Sequence, residues 1–133
     1  MGEVYVKVRL SNAVDTGLVQ RGLLRANEVR TCELDALVDT GATRSVISQE
    51  IADRLGLIPF SQATGRLADG SQITVEIVGI HFEIFGRETQ QDAYILGNEV
   101  LIGQTVLEST GLLVDCTSLT VIPKHPEGPV HRL

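Results

Sequence analysis

The sequence has no tryptophan, a single methionine and only five aromatic residues, two Tyr and three Phe. Its core must therefore be assembled from Val, Ile, Leu and Ala. Its two cysteines, Cys32 and Cys116, are too few and too isolated for a disulfide framework or a zinc site. Both stand in apolar alternation, which predicts two buried, reduced thiols. Basic charge is also short: 11 Lys and Arg against 17 Asp and Glu give a net charge of −6. No basic stripe interleaved with aromatics appears, so nucleic acid is not an expected partner. An acidic surface repels phosphate and serves solubility. No apolar run approaches the roughly 20 residues needed to cross a bilayer. With no such run no membrane partner is expected; the N-terminus lacks a basic stretch followed by an apolar one, so no secretory signal is visible and a cytoplasmic location is the default. There is no Gly-rich phosphate loop, and no Gly-x-Ser-x-Gly elbow surrounds Ser45 or Ser48. His81 falls on the solvated face of a strand, and His125 and His131 lie near the C-terminus. No metal and no cofactor are expected.

What is present describes one compact domain. The chain has 133 residues, 43% hydrophobic and 21% charged, a composition ordinary for a globular protein. Val4, Val6 and Val8 alternate with Tyr5, Lys7 and Arg9, the period of a half-buried strand. Ser11-Asn12 and Asp15-Thr16-Gly17 then predict a turn. From Val29 to Val38 a second strand places Cys32, Leu34, Ala36 and Val38 on one face, and Glu33, Asp35, Leu37 and Asp39 on the other. Ser48 is placed to cap a helix that carries Ile51 and Leu55 on one side and ends at Gly56. Asp69-Gly70 is the strongest turn signal and predicts a two-residue hairpin turn, because both residues tolerate positive φ. Ile73, Val75 and Ile77 alternate beyond it; after Gly79 the alternation resumes through Ile80, Phe82 and Ile84, to a turn at Phe85-Gly86. Ala93 to Leu96, Leu112 to Val114 and Leu119 to Ile122 read as further strands. Residues 1–123 form the expected domain, and Lys124 to Leu133, with Pro126, Gly128 and Pro129, a tail. Short strands with one or two brief helices predict an all-β, barrel-like fold.

The chain also echoes itself. Ala36 to Gly41 leads into a helix that ends in Leu55-Gly56-Leu57, and Glu99 to Gly103 leads into Gln104 to Thr110, followed by Gly111-Leu112. Both halves read as strand, tight Gly turn, short helix, Gly-Leu.

Peptide hydrolysis without a metal or covalent intermediate needs one carboxylate to deprotonate water and one carboxylic acid to polarise the carbonyl. Two adjacent carboxyls do this by sharing a proton, since like charges a few ångströms apart do not both ionise cheaply. Such an Asp belongs on a rigid turn whose N–H groups hold its oxygens, with a Gly supplying backbone freedom. Leu37-Val38-Asp39-Thr40-Gly41-Ala42 supplies these parts in order, and it resembles the active-site signature of the retropepsin-like aspartic proteases. Ala68-Asp69-Gly70-Ser71 stands where that family carries its flap hairpin. Leu101-Ile102-Gly103 resembles the apolar-apolar-Gly turn that packs under the active-site loop. From Val4 to Pro123 the layout most resembles small bacterial members of the clan. The resemblance implies a closed acid-protease barrel with a flap, Asp39 as the catalytic residue, Thr40, Gly41 and Ala42 as its supporting loop, and a peptide or protein substrate bound as an extended strand.

Asp15-Thr16-Gly17 is a second copy of the tripeptide. It is read as a structural turn, because neither a long alternating strand nor a capped helix is expected around it. The short stretch between Asp15 and Asp39 cannot build a second lobe, so the resemblance implies a homodimer with Asp39 supplied once by each subunit. By the same implication Thr40 reaches the partner loop's backbone and the Gly41 N–H helps hold the carboxylates. Thr43-Arg44 and Gln104-Thr105 depart from the retroviral pattern; Arg44 is expected to be solvated. The rival reading is a catalytically silent peptide-binding or regulatory module on the same fold.

Overall fold

The structure, a computed structural model, describes residues 2–133. Its elements in chain order are β1 (Tyr5–Asn12), α1 (Ala13–Gln20), β2 (Thr31–Val38), β3 (Ser45–Ile47), α2 (Gln49–Arg54), β4 (Ser61–Arg66), β5 (Gln72–Ile84), β6 (Arg87–Ile95), β7 (Leu101–Ile102), α3 (Gln104–Thr110), β8 (Leu112–Asp115) and β9 (Thr120–Pro123). Strands are hydrogen-bonded in the order β1-β2-β7-β3-β6-β5-β4, and β1 also pairs with β5. That extra pairing, Arg9↔Glu83 through Asn12↔Ile80, closes six strands into a ring. Closure satisfies edges that would otherwise invite aggregation. β4 remains outside the ring as the second arm of a hairpin with β5. The architecture is the expected all-β barrel.

Residue parity decides what fills the ring. Val6, Val8 and Leu10 point inward from β1, Cys32 and Ala36 from β2, and Val78, Ile80, Phe82 and Ile84 from β5. Phe82, the one aromatic of the core, is fully buried, a contribution of about 1.5–3 kcal/mol relative to exposure. β5 runs through Gly79 without a break, and its apolar positions change from odd to even at Ile77-Val78. The backbone alternates throughout; what changes is which side is covered. In the hairpin arm the odd residues Ile73, Val75 and Ile77 are the covered ones, whereas in the ring the even residues face the interior.

Several local expectations are corrected. Asp15-Thr16-Gly17 is not a turn but lies inside α1, whose N-cap Asn12 accepts from the Asp15 N–H at 3.0 Å. A long alternating strand, β1, does precede it. The Asp69-Gly70 hairpin is not a two-residue turn. The Gly70 N–H donates to the Leu67 carbonyl and the Leu67 N–H to the Ser71 carbonyl, so Ala68, Asp69 and Gly70 form a three-residue loop. Only Gly70 adopts positive φ, +87°, as expected for a type I turn closed by a left-handed residue. Asp69 instead accepts from the Ser71 N–H and hydroxyl. The two-residue turn with positive φ at both positions occurs at Phe85-Gly86. Cys32 is buried, but Cys116 is exposed, because it falls in the turn after β8 rather than in a strand. His81 is partly covered and lies 2.9 Å from Glu88 Oε1.

The internal echo is present as β2, Asp39 turn, α2, Gly56 and as β7, Gly103 turn, α3, Gly111, with left-handed φ at both closing glycines. Residues after Pro123 carry no helix or strand but fold back onto α3. Arg87 donates to the Thr110, Gly111 and His125 carbonyls, and His131 Nε2 donates to the Ser109 carbonyl. Among the described residues no helix is long and apolar enough to cross a membrane.

Candidate active site

Asp39 is delivered by the parallel pairing of β2 and β7, Leu37↔Leu101 and Val38↔Ile102. The ladder continues one residue past the strand, where the Asp39 N–H donates to the Ile102 carbonyl at 3.0 Å. The chain then turns. The Gly41 N–H donates to Asp39 Oδ1 at 3.0 Å and the Ala42 N–H to the Asp39 carbonyl at 3.1 Å. A side chain at Gly41 would place Cβ 3.2 Å from Asp39 Oδ1, so glycine leaves the carboxylate room to take that hydrogen bond. Asp39 and Thr40 are exposed.

The loop is locked from beneath by the second turn of the echo. The Gly103 N–H donates to the buried Ser45 hydroxyl at 2.9 Å. The next two N–H groups, from Gln104 and Thr105, donate to the Ala42 and Thr43 carbonyls at 2.8 and 3.1 Å. These are first-turn donors of α3 with no partner inside the helix, so the helix start and the loop satisfy each other. A Cβ at Gly103 would stand 2.6 Å from the Arg44 carbonyl carbon and 2.7 Å from its oxygen. Leu101-Ile102-Gly103 is therefore in direct contact with the Asp39 loop, and only glycine permits that approach. Arg44 pairs with Asp92 at 3.5 Å, both side chains roughly half exposed.

Parity places Asp39 on the outer face of the ring with Leu37. The register extends that face sideways: Leu37 lies opposite Leu101, Leu101 opposite Val46, Val46 opposite Tyr94, and Tyr94 opposite Ile77. All five are half-buried. They form an apolar floor that runs from Asp39 to the base of the β4–β5 hairpin. A hollow of about 150 Å³ continues it between Leu67, Ile73 and Val75 of the hairpin and Tyr94 and Leu96. On the other side of Asp39, a cleft of about 580 Å³ opens between Val4, Leu37 and Val38 and the β8–β9 hairpin.

Of the residues expected from sequence, the structure brings the Asp39 loop and the Gly103 turn into contact, and Ala68 to Ser71 form the tip of the β4–β5 hairpin. The sequence did not place Ser45 beneath the Asp39 loop, or Val46, Tyr94 and Ile77 in the row beside it. Leu37 carried a signal, since it stands two residues before Asp39 on the same strand face. The others had none, because strand register decides which residues lie beside Asp39. Asp15 lies apart: its carboxylate is buried and bonds Arg30 through the backbone N–H, Nε and Nη2 at 2.9–3.0 Å. Hydrogen bonds from the Arg30 side chain hold the Asp15 pKa below the usual carboxylate value, against the opposing effect of burial.

A strand-terminal Asp turn locked by a glycine under a closed barrel, beside a hairpin, defines the acid-protease class of fold. The model of the gag-polyprotein putative aspartyl protease family matches residues 25–109, more than half of the chain, and the chain belongs to that family. Among solved structures it is similar to the retroviral protease-like domain of Ddi1 from Leishmania major, at 16% identity and a TM-score of 0.58, covering 97% of this chain and 94% of that one. It is also similar to the simian foamy virus protease, at 12% identity and a TM-score of 0.51, over 77% of this chain and 90% of that one. A foamy viral protease–reverse transcriptase aligns at 17% identity and a TM-score of 0.52, over 79% of this chain and 11% of that larger one. At these identities the likeness shows the fold. No curated protein matches the sequence.

Proposed function

We propose that the protein is a homodimeric aspartic endopeptidase whose catalytic group is Asp39, one from each subunit. The observation that carries this reading is the state of that side chain: exposed at the end of a strand, held by the Gly41 N–H, and set in a loop that Gly103 and the start of α3 make rigid. Preorganisation of this kind is what a reacting carboxylate needs. A chain with one such turn supplies half of a dyad, and a two-fold axis supplies the other half.

In the dimer the two carboxyls share one proton. The ionised one takes a proton from water as the water oxygen bonds to the scissile carbonyl carbon. The protonated one donates to the carbonyl oxygen. Collapse of the tetrahedral adduct breaks the C–N bond, with a proton passing to the departing amine. Thr40 reaches the partner loop's backbone. The floor of Leu37, Leu101, Val46, Tyr94 and Ile77 favours an extended substrate with apolar side chains near the scissile bond, and the hairpin tipped by Ala68 to Ser71 closes over it by strand addition. The unpaired thiols of Cys32 and Cys116 suit a reducing compartment such as the cytoplasm.

The test is hydrolysis of a library of extended peptides by the wild-type chain and by Asp39→Asn. Turnover by the first and not the second is expected. Equal turnover by both would overturn the assignment. Binding without turnover by the wild type would make the chain a silent peptide-binding module.

A further inference from the structure

A hollow of about 370 Å³ lies at the root of the β4–β5 hairpin, between the start of α1 and the segment that joins α2 to β4. It shares no residue with the apolar floor beside Asp39. Its rim carries Val14, Ile58 and Phe60, which are 70%, 85% and 62% exposed. Large apolar side chains gathered around one opening mark a binding surface in a way that scattered ones do not.

The backbone of the hollow is open at Gly79. The φ of Gly79 lies outside the left-handed region, and a Cβ there would meet nothing within 4 Å. Neither backbone nor packing therefore requires glycine here, inside a strand that glycine weakens; such a glycine marks close approach by a ligand or another backbone. The sheet is also interrupted at this point. β1 pairs with β5 as far as Asn12↔Ile80 and β4 begins at Ser61↔Ile77, so Val78 and Gly79 pair with β6 alone. Arg30 is the one charged residue among the described residues that line the hollow. Its Nε and Nη2 hold Asp15, whereas Nη1 has no hydrogen-bond partner among the described residues. Gly56 makes room for Nη1, since a Cβ there would overlap it. One edge of the guanidinium is thus spent on Asp15, and the other is left for a second carboxylate.

An apolar rim, a break in the strand pairing and an open guanidinium edge together fit the last residue of a peptide, an apolar side chain beside a terminal carboxylate. The size agrees: ligand pockets run from about 300 to 1,000 Å³, and one at the lower end suits the end of a chain and not a segment that crosses it. We propose that this hollow is a binding site, separate from the Asp39 site, for the C-terminal end of a peptide that finishes on an apolar residue, with the carboxylate on Arg30 Nη1 and the side chain among Val14, Ile58 and Phe60. The class of reaction that supplies such an end is endopeptidic cleavage after an apolar residue, the chemistry that the Asp39 reading gives this chain. Only this origin of the ligand rests on that reading; the site does not.

The test is binding of N-terminally fluorescein-labelled Ala-Ala-Leu, as the free acid and as the C-terminal amide, to the full Asp39→Asn chain. Anisotropy gives the affinity and amide chemical shifts give the place. Saturable binding of the acid is expected, with shifts at Val78, Gly79 and Gln90, and at least about tenfold weaker binding of the amide. Gly79→Val fills the hollow with a residue that a strand accepts, and should weaken acid binding at least about tenfold with an unchanged circular dichroism spectrum. Should that variant fail to fold, Phe60→Ser at the exposed rim takes its place with the same expected loss. Equal affinity for acid and amide, shifts confined to the residues around Asp39, affinity unmoved by these substitutions, or no binding at millimolar peptide would each overturn the proposal. Octanoate bound in the hollow where the peptide does not bind would also overturn it, in favour of a free fatty acid. Acid binding by Asp39→Asn, together with a wild type that cleaves no peptide, would support the site and overturn the hydrolytic reading alone.

Discussion

The chain carries the tripeptide Asp-Thr-Gly twice, and the two copies fold into unrelated structures. Asp15-Thr16-Gly17 sits in a helix, with its carboxylate buried against Arg30. Asp39-Thr40-Gly41 ends a strand, with its carboxylate exposed and held by the third residue of its own motif. The tripeptide itself specifies neither. Asn12 caps the first copy into a helix, and the Arg30 backbone N–H and guanidinium then saturate Asp15. The second copy has β7 beside it, and the pairing with that strand extends to the Asp39 N–H. A saturated, buried carboxylate stabilises the fold, whereas an exposed one on a rigid turn is free to react.

The largest difference between the copies should be catalytic. Asp39→Asn is expected to lower kcat/KM for peptide cleavage by roughly 10²–10⁴-fold with an unchanged circular dichroism spectrum, while Asp15→Asn keeps wild-type kcat/KM when assayed under conditions where it is folded. Reversal of these outcomes would show that the wrong copy had been chosen. Next in size is Gly103→Ala. Its Cβ would collide with the Arg44 backbone, so urea denaturation should show a loss of about 1–3 kcal/mol accompanied by lower activity, because the strained segment is the Asp39 loop. Loss of stability without loss of activity would separate the two turns.

Asp15→Asn should cost about 1–3 kcal/mol of stability at neutral pH through its charge-assisted hydrogen bonds. The pH dependence has a definite sign. Asp15 has its pKa lowered in the folded state, so its contribution is complete above the unfolded value of about 3.9 and is lost as pH falls through the lower folded value. The difference in urea midpoint between wild type and Asp15→Asn should therefore shrink between pH 7 and pH 3; a constant difference would mean that the ion pair does not act through charge. The smallest effect is expected at Gly17, which has open space around its Cβ position inside α1. Gly17→Ala should raise the thermal midpoint by an amount equivalent to about 0.4–1 kcal/mol, and no gain would indicate that α1 is not helical there.

Much of the fold was legible because strand alternation is local. Val4 to Val8, Val29 to Val38 and Ile80 to Ile84 announced their inward faces, and Ser48 and Gly56 marked the ends of α2. The failures share one cause. At Asp15 the turn chemistry of Asp and Gly competed with capping by Asn12, and the side chain that settles it, Arg30, is distant in sequence. At Asp69-Gly70 composition identified the turn but not the hydrogen bonds that make it three residues long. Cys116 was misplaced because it continues the alternation of Leu112 and Val114, although the chain turns there. In β5 the apolar positions change parity at Ile77-Val78, a local signal that acquires meaning only when the hairpin arm shares a hollow with Tyr94 and Leu96 and the ring closes over the other half.

The sequence by itself determined that this is an all-β chain built on aliphatic residues, with an Asp turn at residue 39 and a matching glycine turn at 103, because these follow from period and local backbone freedom. Only the tertiary structure decided which Asp-Thr-Gly is saturated and which is exposed, that Gly103 touches the loop of Asp39, and that Val46, Tyr94 and Ile77 lie in its row. Those are consequences of register and ring closure, contacts between segments far apart in the chain, and no local pattern encodes them.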